Sequence, residues 1–445
     1  MWRQALPPRP AIAVLRLFLL LAAAAIAATA SLLGGALSED DTAGAGVSPA
    51  LQSASFEAGL ASGAPVGVVR DLQRRLRADA SSARDWALLG VGYQQLARES
   101  GDASFYGKSR AALRRALRLD PDDLTATIAL GSLALSQHRF REALVLGRRA
   151  RSLAPSTARS YGVIGDALVE LGRYREAFRA FRTMTELKPT SSAYARSSYA
   201  RELAGDRAGA VHWMRLAQEA AVGQREPYAW ASVQLGNLHW AAGGMRAAAR
   251  EYRRALAVIP GYVFALDGLA RVVAARGDVD AAIALQARAV DAMPLPQLLI
   301  QLGDLYRSAG RGRAARDQYA TVAAIERLQR ANGVATDLES AAFAADHGRP
   351  SVALARRARA ARPSVDGDDV LAWTLARAGL CGEALTWSRR SLRLGSVDAL
   401  KLFHRAWIES CLGDRHESRR WARRAVRLNA HFSLLWAPTA ARLGR

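Results

Sequence analysis

The sequence predicts an all-α protein, a solenoid of about ten helical hairpins, and three regularities predict it. A stretch like "DALVELGRYREAFRAFRTMTELKP", from Asp166 to Pro189, returns in similar form about every 34 residues until the chain ends. Prolines close the repeats at Pro121, Pro155 and Pro189, then at Pro260 and Pro294, each step within a group being 34 residues. A small residue opens each second helix, at Ser109, Ala143, Ala177, Ala210, Ala248, Ala282, Ala315, Ala353, Ala384 and Ser418. Each repeat holds two short helix-like patterns with too few apolar residues to stand alone. Stacking such pairs builds one continuous core, so an array grows without enlarging a single globule.

In chain order, the N-terminal stretch comes first. From Leu17 to Leu37 there are 21 residues without a charge, with Arg3, Arg9 and Arg16 before them and Glu39, Asp40 and Asp41 after them. At ~1.5 Å per residue such a helix crosses a ~30 Å hydrocarbon core, and the basic flank places the remainder outside the cytoplasm. The same run also fits a signal peptide, with Ala28-Thr29-Ala30 as a cleavage site ahead of Ser31. Residues 1–37 are therefore expected to be a signal peptide or a membrane anchor, and the protein to sit at the cell membrane by a single N-terminal span or to be secreted after cleavage. Residues 38–66, rich in Ala, Gly and Ser, read as a flexible spacer.

The array is expected over residues 67–430, opened by a capping helix at "VVRDLQRRLRA". In the first helix of each unit a small residue stands mid-helix: Gly90, Gly131, Gly165, Ser198, Gly236, Ala270, Gly303, Ala341, Ala372 and Ala406. A mid-helix glycine costs ~1 kcal/mol relative to alanine. Small residues facing small residues across two helices would offset that by close approach. Gly172, Gly205, Gly243, Gly277, Gly310, Gly348, Gly379 and Gly413 each precede the second-helix small residue by five, where a left-handed residue ends the first helix. Unit 1 carries an insertion at "ESGDASFYG", expected as an extended loop over Phe105 and Tyr106. Extra residues near "AVGQREPYA" and "IERLQRANG" predict a longer second helix before each. Residues 431–445 read as a C-terminal capping helix, with Leu434, Leu435 and Trp436 covering the last hairpin.

"WALLGVGY", from Trp86 to Tyr93, fits W-x2-L-G-x2-Y, and the pattern continues through Ala177 with Phe181 and Ala248 with Tyr252, Ala255 and Pro260. It resembles the tetratricopeptide repeat. The resemblance implies a right-handed superhelix with first helices lining a concave groove and second helices forming the convex face. It implies no catalysis and no cofactor, and a protein or peptide partner held in the groove. Projected on that geometry, Tyr199, Trp230, Asn237, Trp240, Phe264, Asp267, Arg271, Asp304, Arg307, Trp373, Arg377 and Trp407 fall on or near the groove surface. Aromatics with a few charges are the composition of a peptide-binding face. The Lys- and Asn-rich clamp by which some family members hold a terminal carboxylate is not present.

The formal net charge is +22, and of 62 basic residues only Lys108, Lys188 and Lys401 are lysine. The arginines gather on second helices, as at Arg114, Arg115 and Arg118, at Arg148, Arg149 and Arg151, at Arg356, Arg357 and Arg359, and from Arg419 to Arg427. A basic convex face attracts polyanions. The alternative function is therefore a polyanion-binding module, for nucleic acid in the cytosol or for anionic lipid or wall polymer outside it. Export makes nucleic acid the less expected of these.

No catalytic motif emerges. "GDASFYGKS" has five residues between Gly101 and Gly107 where a phosphate-binding loop needs four, and no strand precedes it. "DGDD", Asp366 to Asp369, lacks the other ligands of a calcium loop and reads as a helix N-terminus. The seven histidines show no metal spacing. Cys381 follows the turn glycine Gly379, and Cys411 precedes Gly413 of the next unit. They are placed to form a disulfide in an oxidising compartment or to remain two buried thiols.

Overall fold

The computed structural model describes residues 65–445. The N-terminal apolar run and nearly all of the spacer lie outside the described residues. Those described form 22 helices and no strands. Helix α1 (Pro65–Ala78) caps the array. Units 1 to 4 are α2/α3 (Ala83–Ser100, Ser104–Leu119), α4/α5 (Leu124–Ser136, Phe140–Leu153), α6/α7 (Ala158–Glu170, Tyr174–Leu187) and α8/α9 (Ser191–Leu203, Arg207–Glu219). Units 5 to 7 are α10/α11 (Arg225–Ala241, Met245–Val258), α12/α13 (Val263–Ala275, Val279–Ala292) and α14/α15 (Pro296–Ser308, Gly312–Ala331). Units 8 to 10 are α16/α17 (Asp337–His347, Val352–Ala361), α18/α19 (Val365–Arg377, Cys381–Ser391) and α20/α21 (Ala399–Cys411, Arg415–Leu428), before α22 (Ala437–Leu443).

The mid-helix glycines work by a different contact from the expected one. A Cβ on Gly165 would lie 2.2 Å from the Phe181 ring, and the same holds for Gly236 under Tyr252 at 2.4 Å and Gly303 under Tyr319 at 2.3 Å. An aromatic ring of the second helix fills the space, rather than a second small residue. In unit 1 the Leu113 side chain takes that place, 2.4 Å from a Cβ on Gly90, while Ser109 Oγ donates to the Gly90 carbonyl at 2.8 Å. The turn glycines take positive φ, as Gly172 does at 70°, except Gly348, whose φ is −141°. Unit 8 departs further. Ala353 is exposed and Ala355 fills the buried slot, because both helices of this unit are short.

The insertions are also absorbed differently. In unit 1 they lengthen α2 to 18 and α3 to 16 residues, leaving a three-residue turn rather than an extended loop. Near 220 the extra residues lengthen α10 to 17 residues, while α9 stays at 13. Only α15, at 20 residues, lengthens as expected of a second helix.

Winding is tight enough that the superhelix meets itself. Intra-hairpin turns of units 1 to 5 dock on the loops that follow units 6 to 10. Gln137 Nε2 donates to the Asn332 carbonyl at 2.8 Å across 195 residues, and His138 Nδ1 meets the Ala335 carbonyl at 2.8 Å. The Val365 amide donates to the Tyr174 hydroxyl at 2.6 Å. Arg362 makes a paired contact with Glu170, its Nη2 lying 2.9 Å from Oε1, and both side chains are buried. Burial opposes the charge on Arg362, but Glu170 and Glu339 overcome this and hold its guanidinium above the ordinary range. Asn429 Nδ2 closes the series by donating to the Trp240 carbonyl at 2.8 Å. First helices consequently face neighbours on nearly every side, and α4 buries ten successive residues from Ala126 to Leu135.

Candidate functional site

Two groups of side chains meet on the inner surface. The first comes from α10, α12 and α14. Arg271 Nη2 lies 3.1 Å from Asn237 Oδ1 and 3.2 Å from Asp267 Oδ2, and its guanidinium sits 5.9 Å from the Trp240 ring. Tyr252, whose hydroxyl burial pushes up to about 12, stays protonated and donates to Asn237 Oδ1 at 2.9 Å. Gln286 Nε2 donates to Asp267 Oδ1 at 3.1 Å. Each polar group thus fixes the next, and the strip is held rigid from behind. On its front lies a pocket of about 280 Å³, where Trp240, Arg271, Ala274 and Gln301 face the C-terminal residues His431, Phe432 and Leu434.

The second group is an aromatic box from units 8 to 10. Trp436 stands edge-on to Trp373 and Trp407, at 5.2 and 5.9 Å, and stacks on Phe403 at 5.8 Å. Arg377 lies 5.4, 5.7 and 4.9 Å from the rings of Trp373, Trp407 and Trp436. The indole N–H groups of Trp373 and Trp436 both donate to Asp346 Oδ1 at 2.8 Å. His404 stacks on Trp373 at 4.2 Å, with Nδ1 3.0 Å from Asp369 Oδ2.

Of the residues projected onto the groove, the structure brings Asn237, Trp240, Asp267 and Arg271 together in the strip and Trp373, Arg377 and Trp407 together in the box. The others do not line a groove. Trp230 is 8% exposed and packs against Met214 and Leu235 in the core of units 4 and 5. Phe264 packs edge-on against Tyr262 at 5.5 Å, inside the stack. Tyr199 packs against the cluster that holds Val365, at the seam between superhelical turns. Asp304 accepts from Tyr319 and pairs with His347, each at 2.7 Å, while Arg307 is exposed. The expected open aromatic strip is therefore corrected: tight winding turns Trp230, Phe264 and Trp373 into packing residues. The C-terminal expectation is corrected as well. Residues 430–436 form no helix, and Leu434 crosses the channel to pack against Ala270, Leu302 and Leu305 of units 6 and 7. Asp346, Phe403 and His404 were not singled out by sequence, since an acid or a ring near a helix end carries no periodic signal.

The remaining motifs have structural roles. Ser364 caps α18 by accepting from the Gly367 amide, and Asp366 pairs with Lys401 at 2.6 Å, which holds its carboxyl below the usual carboxylate range. Gly101 is packed beneath Met293 and Leu295, so no cradle for a phosphate opens there. The Cys381 and Cys411 sulfurs meet at bonding distance, with Cα atoms 6.2 Å apart. Among the described residues no group of three or more His, Cys, Asp or Glu side chains is placed to hold a metal ion, and no helix is long and apolar enough to cross a membrane.

Fold and inner surface together define a helical-repeat interaction scaffold. Residues 158–191 match the family model of the tetratricopeptide repeat, and this span is unit 3 with its following loop. The same hairpin recurs through the array, so the described residues form an all-α solenoid of tetratricopeptide type. Several solved structures are similar to it. The thermophilic repeat protein TTC0263 of Thermus thermophilus is 21% identical over 44% of this chain and 99% of its own, with a TM-score of 0.38. MamA of Desulfovibrio magneticus is 18% identical over 40% and 98%, with a TM-score of 0.30. Human IFIT1, solved as a dimer with m7Gppp-AAAA, is 13% identical over 91% and 96%, with a TM-score of 0.45. No curated protein matches the chain.

Proposed function

We propose that the protein is a non-catalytic scaffold that binds a peptide segment of a protein partner along the inner channel, between the strip of units 5 to 7 and the box of units 8 to 10. The observation that carries this is the pocket at the strip, where Arg271 and Gln301 remain open to an occupant beside the largely buried Trp240 ring. A rigid aromatic surface with a fixed guanidinium is the composition that concentrates binding energy, since hot spots favour Trp, Tyr and Arg. The apolar run from Leu17 to Leu37 supports export, with the array outside the cytoplasm and tethered to the membrane or released after cleavage. Protease accessibility on intact cells tests that placement, and full protection of the array would refute it.

Trp240 is only 7% exposed and packs in the core of units 5 and 6, so its removal would damage packing as well as binding. Arg271 and Gln301 are the better probes. The full chain is used to capture its partner from an extract of the cells that make it. Arg271→Ala with Gln301→Ala is expected to weaken capture at least about tenfold, or ~1.4 kcal/mol, at unchanged helicity. Replacing the exposed Arg423 and Arg424 on α21 is expected to change capture little at physiological salt. The reverse outcome would move function to the convex basic face and favour a polyanion ligand.

A further inference from the structure

The pocket of about 280 Å³ at the strip is lopsided in its chemistry. Trp240, Phe432, Leu434 and Pro438 give it apolar walls, and Arg271 and Gln301 supply its polar side. The other titratable lining group is His431, which is exposed, and no Asp or Glu lines the pocket. The wall opposite Arg271 is fixed. Asn429 Nδ2 is bonded to the Trp240 carbonyl, and Ala437 and Ala440 are buried beside the last hairpin. Arg271 is anchored by Asn237 and Asp267, and both contacts fall on Nη2, so Nη1 is the donor left for an occupant. Its Nε is buried without an acceptor among the described residues, while 26% of the side chain stays exposed. Asp267 does not line the pocket, so the positive member of the pair is the one presented there. A guanidinium with unmet donors beside apolar walls calls for an acceptor.

We propose that this pocket is a subsite for the side-chain carboxylate of an acidic residue in the partner's segment, with an apolar neighbour of that residue lying against Trp240 and Phe432. The proposal rests on the scaffold function above and names the chemistry of its ligand. Charge selects an anion, because the pocket holds a guanidinium and no acid, in a chain of net charge +22. A hydrogen bond from a guanidinium to a carboxylate is roughly twice as strong as a neutral one. Enclosed by the apolar walls, such a pair is screened by salt less than one on the convex face. Asn237 and Asp267 fix the guanidinium before a ligand arrives, so less side-chain freedom is lost on binding. Asp267 also sets the limit on the anion. At 3.2 Å from Arg271 it offsets part of the positive charge, which suits a single carboxylate better than a phosphate dianion. A lysine in the same place would meet Arg271 as a like charge.

The test uses the full chain and the peptide acetyl-Leu-Glu-Phe-amide, with counterparts carrying Gln, Lys or phosphoserine for Glu, each titrated by ligand-observed NMR. The blocked termini leave the side chain as the peptide's carboxylate. The Glu peptide is expected to bind at least about tenfold more tightly than the Gln peptide, since a site built for one polar group rejects the analogue lacking it. The Lys peptide is expected to bind most weakly, and the phosphoserine peptide no more tightly than the Glu peptide. Arg271→Gln is expected to erase the preference for Glu, whereas Arg423→Gln with Arg424→Gln, on the convex face, is expected to keep it. Should Arg271→Gln lose its helical circular dichroism, Gln301→Glu replaces it. That change sets a carboxylate in the pocket while leaving Asn237 and Asp267 in place, and is expected to repel the Glu peptide. Equal binding of the Glu and Gln peptides, no binding of any peptide, tighter binding of the phosphoserine peptide, or a preference that depends on Arg423 and Arg424 instead of Arg271 overturns the proposal. Partner capture that still depends on Arg271 and Gln301 would then leave the scaffold function standing with a ligand of other chemistry, and capture independent of both would overturn that function as well.

Discussion

The turn glycines of the two halves share a conformation and differ in everything around it. Gly172 and Gly205 have φ of 70° and 76°, and a Cβ on either would sit 2.4 and 2.3 Å from the Pro363 and Gly395 carbonyl oxygens. Gly379 and Gly413 have φ of 81° and 86°, and a Cβ there would meet nothing within 4 Å. In the first half the turn edge is an interface with a part of the chain about 190 residues away; in the second half it faces open space. There the edge carries Cys381 and Cys411, which bring neighbouring turns together without a seam. One local motif thus serves two mechanical roles.

The largest expected effect breaks the seam. Arg362→Ala leaves Glu170 buried with its guanidinium partner gone, and such a loss costs ~3–5 kcal/mol. A denaturation midpoint equal to wild type would show that the seam contributes nothing. Next comes the cysteine edge. Reduction is expected to remove roughly 2–4 kcal/mol if the pair is bonded, and thiol labelling of the unfolded, unreduced chain should find no reactive cysteine. Two reactive thiols would rule the bond out.

Gly165→Leu probes the contact inside one hairpin, which both halves share. Overpacking against Phe181 is expected to destabilise by ~1–3 kcal/mol, and an unchanged urea midpoint would remove Gly165 from that contact. The smallest effect sharpens the comparison itself. Asparagine tolerates the left-handed conformation, so Gly413→Asn is expected to cost less than ~1 kcal/mol. Gly205→Asn must also displace the Gly395 carbonyl and is expected to cost ~1–2 kcal/mol more. Equal thermal shifts for the two variants would contradict the difference in their surroundings.

How much of this was legible in sequence depends on how far each contact reaches. Gly165 announced a close contact because a mid-helix glycine needs a reason, but not that Phe181 would supply it. Gly348 and Ala353 misled because unit 8 has short helices and a shifted register, and a position counted by spacing carries no depth. At the site, Asn237, Asp267 and Arg271 could be aligned because Asp267 and Arg271 stand four residues apart and Asn237 lies one 34-residue repeat before Arg271. Trp230 and Phe264 shared that spacing and still went inside, since helical phase alone does not say which inner positions the winding encloses. The contact of Trp436 with Asp346 spans 90 residues and has no periodic trace.

What the sequence determined by itself was the hairpin, its small slots and its left-handed turns, because each depends on residues within one repeat or its neighbour. The tertiary structure decided the pitch, the seam and the place where the C-terminal segment lies. Small rotations between successive units add up along a stacked array. Whether Gln137 meets Asn332 after 195 residues is set by that sum, and no single unit contains it.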